Sequence, residues 1–196
     1  MNNIPEVIEL YSSHIEKGIL KRILTEIPTE SFIQMKLLKE IADIKILSGI
    51  NNIRYKECFS EFLDGINYEG IDKIEEIEER YTSAYENYYS PFINQHNYIL
   101  ENYLVNHVFK NTFPLTDSKS MFNSYMMLVL HYSLIKMHLV GISAYNKGLT
   151  VELVVKLIQS FAKTVEHNST YLKNIENLME SNGFNTMAYM AILLKN

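Results

Sequence analysis

The sequence predicts an all-α fold, a single helical-bundle-like domain of about eight or nine helices. Two observations carry that prediction. Apolar residues recur three and four positions apart along nearly the whole chain, the period of a helix with one buried face. No run of alternating apolar and polar residues leads into a hairpin turn, so a sheet has no sequence support. With 196 residues, 47% of them hydrophobic, the chain is long enough to close a sizeable core.

A first helix starts near Pro5, tolerated in a helical first turn, and carries Val7, Ile8, Leu10, Tyr11, Ile15, Ile19, Leu20 and Leu24 before Pro28 closes it. Thr29 is a plausible cap for the next, whose apolar positions run from Phe32 through Met35, Leu38 and Ile41 to Leu47, with Gly49 beyond. A shorter helix covers Tyr55 to Leu63 and ends at Gly65. Turn residues cluster from Gly65 to Gly70. That cluster separates an N-terminal helical segment, residues 1–70, from a C-terminal helical domain, residues 71–196, the two packed as one domain. In the next stretch Ile71, Ile74, Ile77, Tyr81 and Tyr85 share one face, with Glu75, Glu76, Glu78 and Glu79 largely opposite. Pro91 should kink or restart that helix, which then runs to Pro114. Thr116 or Asp117 can cap a long helix ending at Gly148, and Thr150 caps another through Val165. Residues 169–181 form a helix closed by Gly183, and MAYMAILLKN ends the chain as a short one.

Composition narrows the function. The net charge is −5 and only Arg22, Arg54 and Arg80 are arginines, so no basic stripe supports a nucleic-acid partner. Cys58 is the single cysteine, which excludes an internal disulfide and makes an iron–sulfur cluster or cysteine-based zinc site within this chain unlikely by donor count. The N-terminus lacks a basic start followed by an apolar run, so the expectation is a cytoplasmic protein. Residues 121–148 are long enough to span a bilayer, but His131, Lys136 and His138 interrupt them. A central lysine costs about 2.5–3.5 kcal/mol on the insertion scale. The expectation is a buried core helix and no membrane partner.

Familiar catalytic motifs are missing. The seven glycines never cluster, so neither a phosphate loop nor a Rossmann turn can be built. No glutamate is followed by a histidine three residues later, as a di-iron bundle requires. Cys58 sits among Tyr55, Phe59 and Phe62 and reads as a packed thiol. No metal ligand set emerges: His131 and His138 lie seven residues apart, about 10 Å by helical rise, too far to share one ion. They either bond between packed helices or line a polar pocket and handle protons.

Other polar residues are candidates on weaker grounds. Lys136, between apolar neighbours, either snorkels to solvent or pairs with a buried acid. Glu166, His167 and Asn168 end a helix. Tyr81, Tyr85, Tyr88, Tyr89, Phe92, Tyr98 and Tyr103 either pack helices or line a slot for a cationic amine. In ENYLVNHVFKNTFP, residues 101–114, a polar stripe led by Glu101, Asn102 and Asn106, with His107 nearby, marks an otherwise apolar helix. Buried amides need partners, so the asparagines either bond to another helix or face a polar cavity.

The strings YENYYSPFINQHNYILENYLVNHVFKNTFPL (residues 85–115), SMFNSYMMLVLHYSLIKMHLVGISAYNKGLTVELVVKLIQSFAKTVEHNSTYLKNI (residues 120–175) and NGFNTMAYMAILLKN at the end add a resemblance. In order and content they resemble the C-terminal half of bacterial flagellin lysine-N-methylases, over roughly residues 80–196. The resemblance implies transfer of methyl groups from S-adenosyl-L-methionine to lysine side chains of flagellin. It also implies a cysteine-rich segment of the kind that holds an iron–sulfur cluster, which this chain lacks; the chain is thus expected to be the helical C-terminal part. On that reading His131 or His138 handles the proton, and Glu101 or Glu166 attracts the lysine. Asn102, Asn106, His107, Lys136, His167 and Asn168 complete a pocket for substrate or cofactor. The alternative is a non-catalytic helical module that binds flagellin or another protein, with the methyl-transfer centre in the missing cysteine-rich part.

Overall fold

The computed structural model describes residues 4–27, 29–47, 49–68, 74–114 and 120–195. All regular structure among them is helical, as the periodicity predicts: α1 (Ile4–Glu16), α2 (Ile19–Glu26), α3 (Ser31–Leu47), α4 (Ile53–Ile66), α5 (Ile74–Ala84), α6 (Ser90–Lys110), α7 (Met121–Asn146), α8 (Val151–Phe161), α9 (Ser169–Ser181) and α10 (Met187–Leu194). A π-helical turn, Tyr85–Tyr89, joins α5 to α6, so the ten segments make nine uninterrupted runs among the described residues; a second π turn, Ala162–Glu166, extends α8.

Several boundaries differ from the sequence reading, each for a local reason. The predicted first helix splits into α1 and α2 at Gly18, which adopts φ 63°, a left-handed conformation that glycine takes at little cost. Helix α4 is capped by Asn52, whose side chain accepts from the Tyr55 N–H. It runs through Gly65 rather than ending there, and left-handed Asn67 stops it. Ser120 caps α7 by accepting from the Asn123 N–H, while Thr116 and Asp117, like Pro28 and Gly70, lie outside the described residues. Pro91 does not end its helix. It follows the first π turn, where the wider turn accommodates a proline that offers no N–H to the residue four positions back. The bend comes at His96 (φ −128°, ψ 27°).

Helix α7 is the axis of the fold. It packs against α3, α4, α5, α6, α8 and α10 and is buried on every side from Val129 to Ser143 except at half-buried Tyr132. It is the one helix among the described residues long and apolar enough to cross a membrane; 83% of its most apolar 18-residue window is buried inside the fold. The core draws on residues before position 65 and after position 70 alike: Leu38, Ile41, Tyr55 and Phe62 join Leu130, Leu134, Ile135, Leu157 and Ile175.

The approach of α4 to α7 depends on two glycines. A Cβ on Gly65 would lie 2.0 Å from the Gly141 carbonyl oxygen, and one on Gly141 would lie 2.5 Å from the Phe62 ring. Gly65→Ala should therefore cost about 3 kcal/mol through overpacking. Gly183→Ala, left-handed but in open space, should cost only about 1 kcal/mol. Urea unfolding of the two variants checks this; equal losses would mean the α4–α7 contact yields easily.

Candidate functional site

A cavity of about 610 Å³ opens between α6, α7, the second π turn and α9. Leu100, Tyr103 and His107 recur at helical spacing on α6 and form its buried face, so His107 is directed inward. From α7 come Ser124, Met127 and His131; the π turn supplies Glu166; His167 and the α9 residues Ser169, Leu172, Lys173 and Glu176 complete much of the wall. The π turn inserts extra backbone between α8 and the Asn168 cap of α9, and Glu166 is its last residue.

The deep end is polar and nearly closed to solvent. His131 is 3% exposed and His107 9%. Their rings meet edge to face with centroids 5.3 Å apart, and His131 also lies edge-on to Phe161. His107 Nδ1 is 3.9 Å from Glu166 Oε1, too long for a hydrogen bond. The Tyr103 hydroxyl donates to that same oxygen at 2.7 Å, while Lys110 Nζ is 3.4 Å from Oε2 and 3.4 Å from His167 Nε2. At the other end of the wall Asn123 Nδ2 donates to Glu176 Oε1 at 3.3 Å.

These contacts set the charges. Burial pushes the Glu166 carboxyl upwards, but the neighbouring imidazoles and the Tyr103 hydroxyl outweigh it and hold the group at about 2, ionised at neutral pH. Burial, together with the neighbouring His107, lowers His131 to about 4, so its imidazole is uncharged. Burial and Glu166 raise the Tyr103 phenol, which stays a donor. The site presents one fixed carboxylate, a neutral imidazole and a salt-bridged lysine.

The structure gathers His107, His131, Glu166 and His167 from the predicted set and disperses the others. Glu101, Asn102 and Asn106 lie on the exposed outer face of α6, so the asparagine stripe faces solvent rather than a cavity. The inward position is one residue further round, at His107. His138 is 1% exposed among Tyr55, Phe59, Phe62 and Phe161. Its Nδ1 is 2.7 Å from the Leu134 carbonyl, so it must donate, which leaves Nε2 to accept from the Tyr55 hydroxyl at 3.3 Å. Those bonds tie α7 to α4 and make His138 a core residue. Lys136 does not snorkel: at 4% exposure its ammonium donates to the Leu194 carbonyl at 2.9 Å, at the end of α10, and burial lowers it to about 7. Asn168 caps α9 by accepting from the Tyr171 N–H. Among the tyrosines, Tyr81 and Tyr89 are in the core, Tyr85 stacks on Tyr89, Tyr98 is exposed and Tyr103 reaches Glu166. They do not line one slot.

The sequence reading missed Lys110, Lys173 and Glu176, and the role of Tyr103. A signal existed for two of them: Tyr103 and Lys110 stand four before and three after His107, on one face of α6. Cys58 is buried at 2% exposure and burial raises its thiol. One buried cysteine does not fit a four-thiolate cluster. A second cavity, about 420 Å³ beside Met35, Phe62, Ile66 and Met137, is mostly apolar, and its charged neighbours Lys39 and Asp43 pair with each other at 2.7 Å. The reactive groups concentrate in the first cavity.

The buried His138 has a measurable consequence. Burial lowers its pKa to about 4 from an ordinary 6.5. Between those values the unfolded chain binds a proton that the folded chain excludes, so stability is full above about 6.5 and falls as the pH drops towards 4. The loss attributable to His138 is on the order of 3 kcal/mol over that window. Urea unfolding at pH 7.5 and 4.5 should show a steeper loss for the wild type than for His138→Gln; parallel losses would mean the folded core accepts a charged imidazole.

A family model described as the FliB lysine N-methylase C-terminal domain matches residues 1–193. The match includes the N-terminal stretch that the strings at 85–115 and 120–175 leave out. No curated protein and no solved structure matches the chain. Covering nearly all of the sequence, the match shows that the chain belongs to the FliB lysine N-methylase C-terminal domain family.

Proposed function

We propose that this chain acts, as part of a flagellin lysine N-methylase, in transferring methyl groups from S-adenosyl-L-methionine to lysine side chains of flagellin. The observation that carries the reading is the family match over residues 1–193. The geometry supports it. The cavity volume of about 610 Å³ lies within the range of small-molecule sites. Glu166 and Glu176 put two carboxylates in its wall, beside Lys110 and Lys173, as local partners for a lysine ammonium or a sulfonium. Methyl transfer needs the amine as a free base: its lone pair attacks the methyl carbon, the carbon–sulfur bond breaks and the electron pair stays on sulfur. The ammonium proton must leave first. That proton goes to solvent, and His131, kept uncharged by burial with both ring nitrogens unpartnered, accepts a hydrogen bond from the free amine at the deep end.

A second reading has its own observation. The outer face of α6 exposes Tyr98 (48%), Val105 (47%) and Phe109 (78%) beside Glu101, Asn102 and Asn106. Such a mixed apolar and amide surface suits protein recognition, with the methyl-transfer centre in a cysteine-rich part outside this chain.

Incubating the 196-residue chain with unmodified flagellin and methyl-labelled S-adenosyl-L-methionine separates the two. On the first reading label enters flagellin lysines, and Glu166→Gln slows transfer tenfold or more, about 1.4 kcal/mol of transition-state stabilisation. Flagellin binding without transfer, lost on Phe109→Ala, would establish the second reading instead.

A further inference from the structure

Three side chains from three separate elements converge at the deep end of the cavity. His107 comes from α6, His131 from α7 and Glu166 from the π turn, and one ligand-capable atom of each lies within 4.8 Å of the other two. Both imidazoles are more than nine-tenths buried. Nδ1 of His107 and both ring nitrogens of His131 are without a hydrogen-bond partner. Orphaned buried nitrogens are costly, and here they face an ionised carboxylate. A cation among them would satisfy His107 Nδ1, one nitrogen of His131 and the carboxylate at once.

We propose that His107, His131 and Glu166 bind a divalent first-row transition ion of the zinc or iron(II) class, with coordination positions left open towards the cavity. Two neutral imidazoles and one carboxylate are the donor set of catalytic zinc sites and of facial-triad iron sites. Bonds of about 2.0–2.1 Å put tetrahedral ligands about 3.3–3.5 Å apart. From separations of up to 4.8 Å, the atoms would have to close by about an ångström to reach that distance. The carboxylate has its outer shell in place: Tyr103 donates to Glu166 Oε1 and Lys110 approaches Oε2. The charge of Lys110 opposes the ion, but its side chain is 42% exposed and can turn to solvent. The inference shares the cavity of the methylation reading without resting on it. With the ion bound, His131 would be a ligand, and a metal-held hydroxide would take the lysine proton and become water.

The test uses the 196-residue chain, dialysed against a chelator, with Zn²⁺ titrated by calorimetry and Co²⁺ followed by its visible absorption. The expected result is one ion per chain, Co²⁺ bands of a site with fewer than six ligands, and a rise in Tm with Zn²⁺. His107→Gln and Glu166→Gln should each weaken binding about 100-fold, and Tyr103→Phe about tenfold. His14→Gln, on α1, should change nothing. Far-UV circular dichroism confirms that each variant keeps its helices. No saturable binding, or binding unaltered in folded His107→Gln and Glu166→Gln, would overturn the proposal. Neither methyl donor nor flagellin is present, so failure of methyl transfer and failure of metal binding are separate outcomes.

Discussion

Helix α7 lacks a solvent face along its middle, and the rest of the molecule is arranged around that constraint. A helix buried all round must be wrapped by neighbours, and every polar side chain on it must find a partner inside. Its polar residues accordingly mark where the neighbours attach. Ser133 and Lys136 donate to the carbonyls of Leu193 and Leu194, holding the end of α10. Those carbonyls carry the negative end of the α10 dipole, which suits a buried ammonium. His138 joins α4 through Tyr55. Gly141 lets the α4 backbone come close enough for that bond to form. His131 alone among these has both polar atoms unpartnered, and it is the one that faces the cavity.

The π turn at Ala162–Glu166 complements this arrangement. An ordinary α-helix continuing from α8 would present side chains at a fixed 100° step. The π turn breaks that step just before the chain enters α9, and the residue at the break is the carboxylate of the site. Phe161, the last residue of α8, is fully buried and packs against both His131 and His138. One aromatic ring thus separates the imidazole that is bonded from the one that is not.

Much of the fold was legible in the sequence because helical periodicity is a local property. The spans of α9 and α10 and the Thr150 cap follow directly from it. Gly65 was not legible in the same way. A glycine near the end of an apolar stretch reads as a stop, and only the position of Gly141, seventy-six residues on, explains why it lies inside α4. The site was half legible. His107, His131, Glu166 and His167 stand out by residue type, but which face of α6 turns inward depends on what packs against it. Asn102 and Asn106 looked like an interior stripe because Val105 and Phe109 beside them are apolar, yet both of those are exposed. The helical distance between His131 and His138 rules out one shared ion between them. It says nothing of His107, which arrives from another helix.

Because Glu166 owes its direction to one extra residue in a turn, the cavity's chemistry is tied to chain length rather than to residue identity alone. Removing a single residue between Ala162 and Val165 would let α8 continue in regular register and swing the carboxylate by about 100°. All the side chains of the site would still be encoded, and the core around Leu157 and Phe161 would still close. The deep end would lose its negative charge. A one-residue difference in the α8–α9 connection would thus separate a chain that keeps these groups together from one that keeps only the fold.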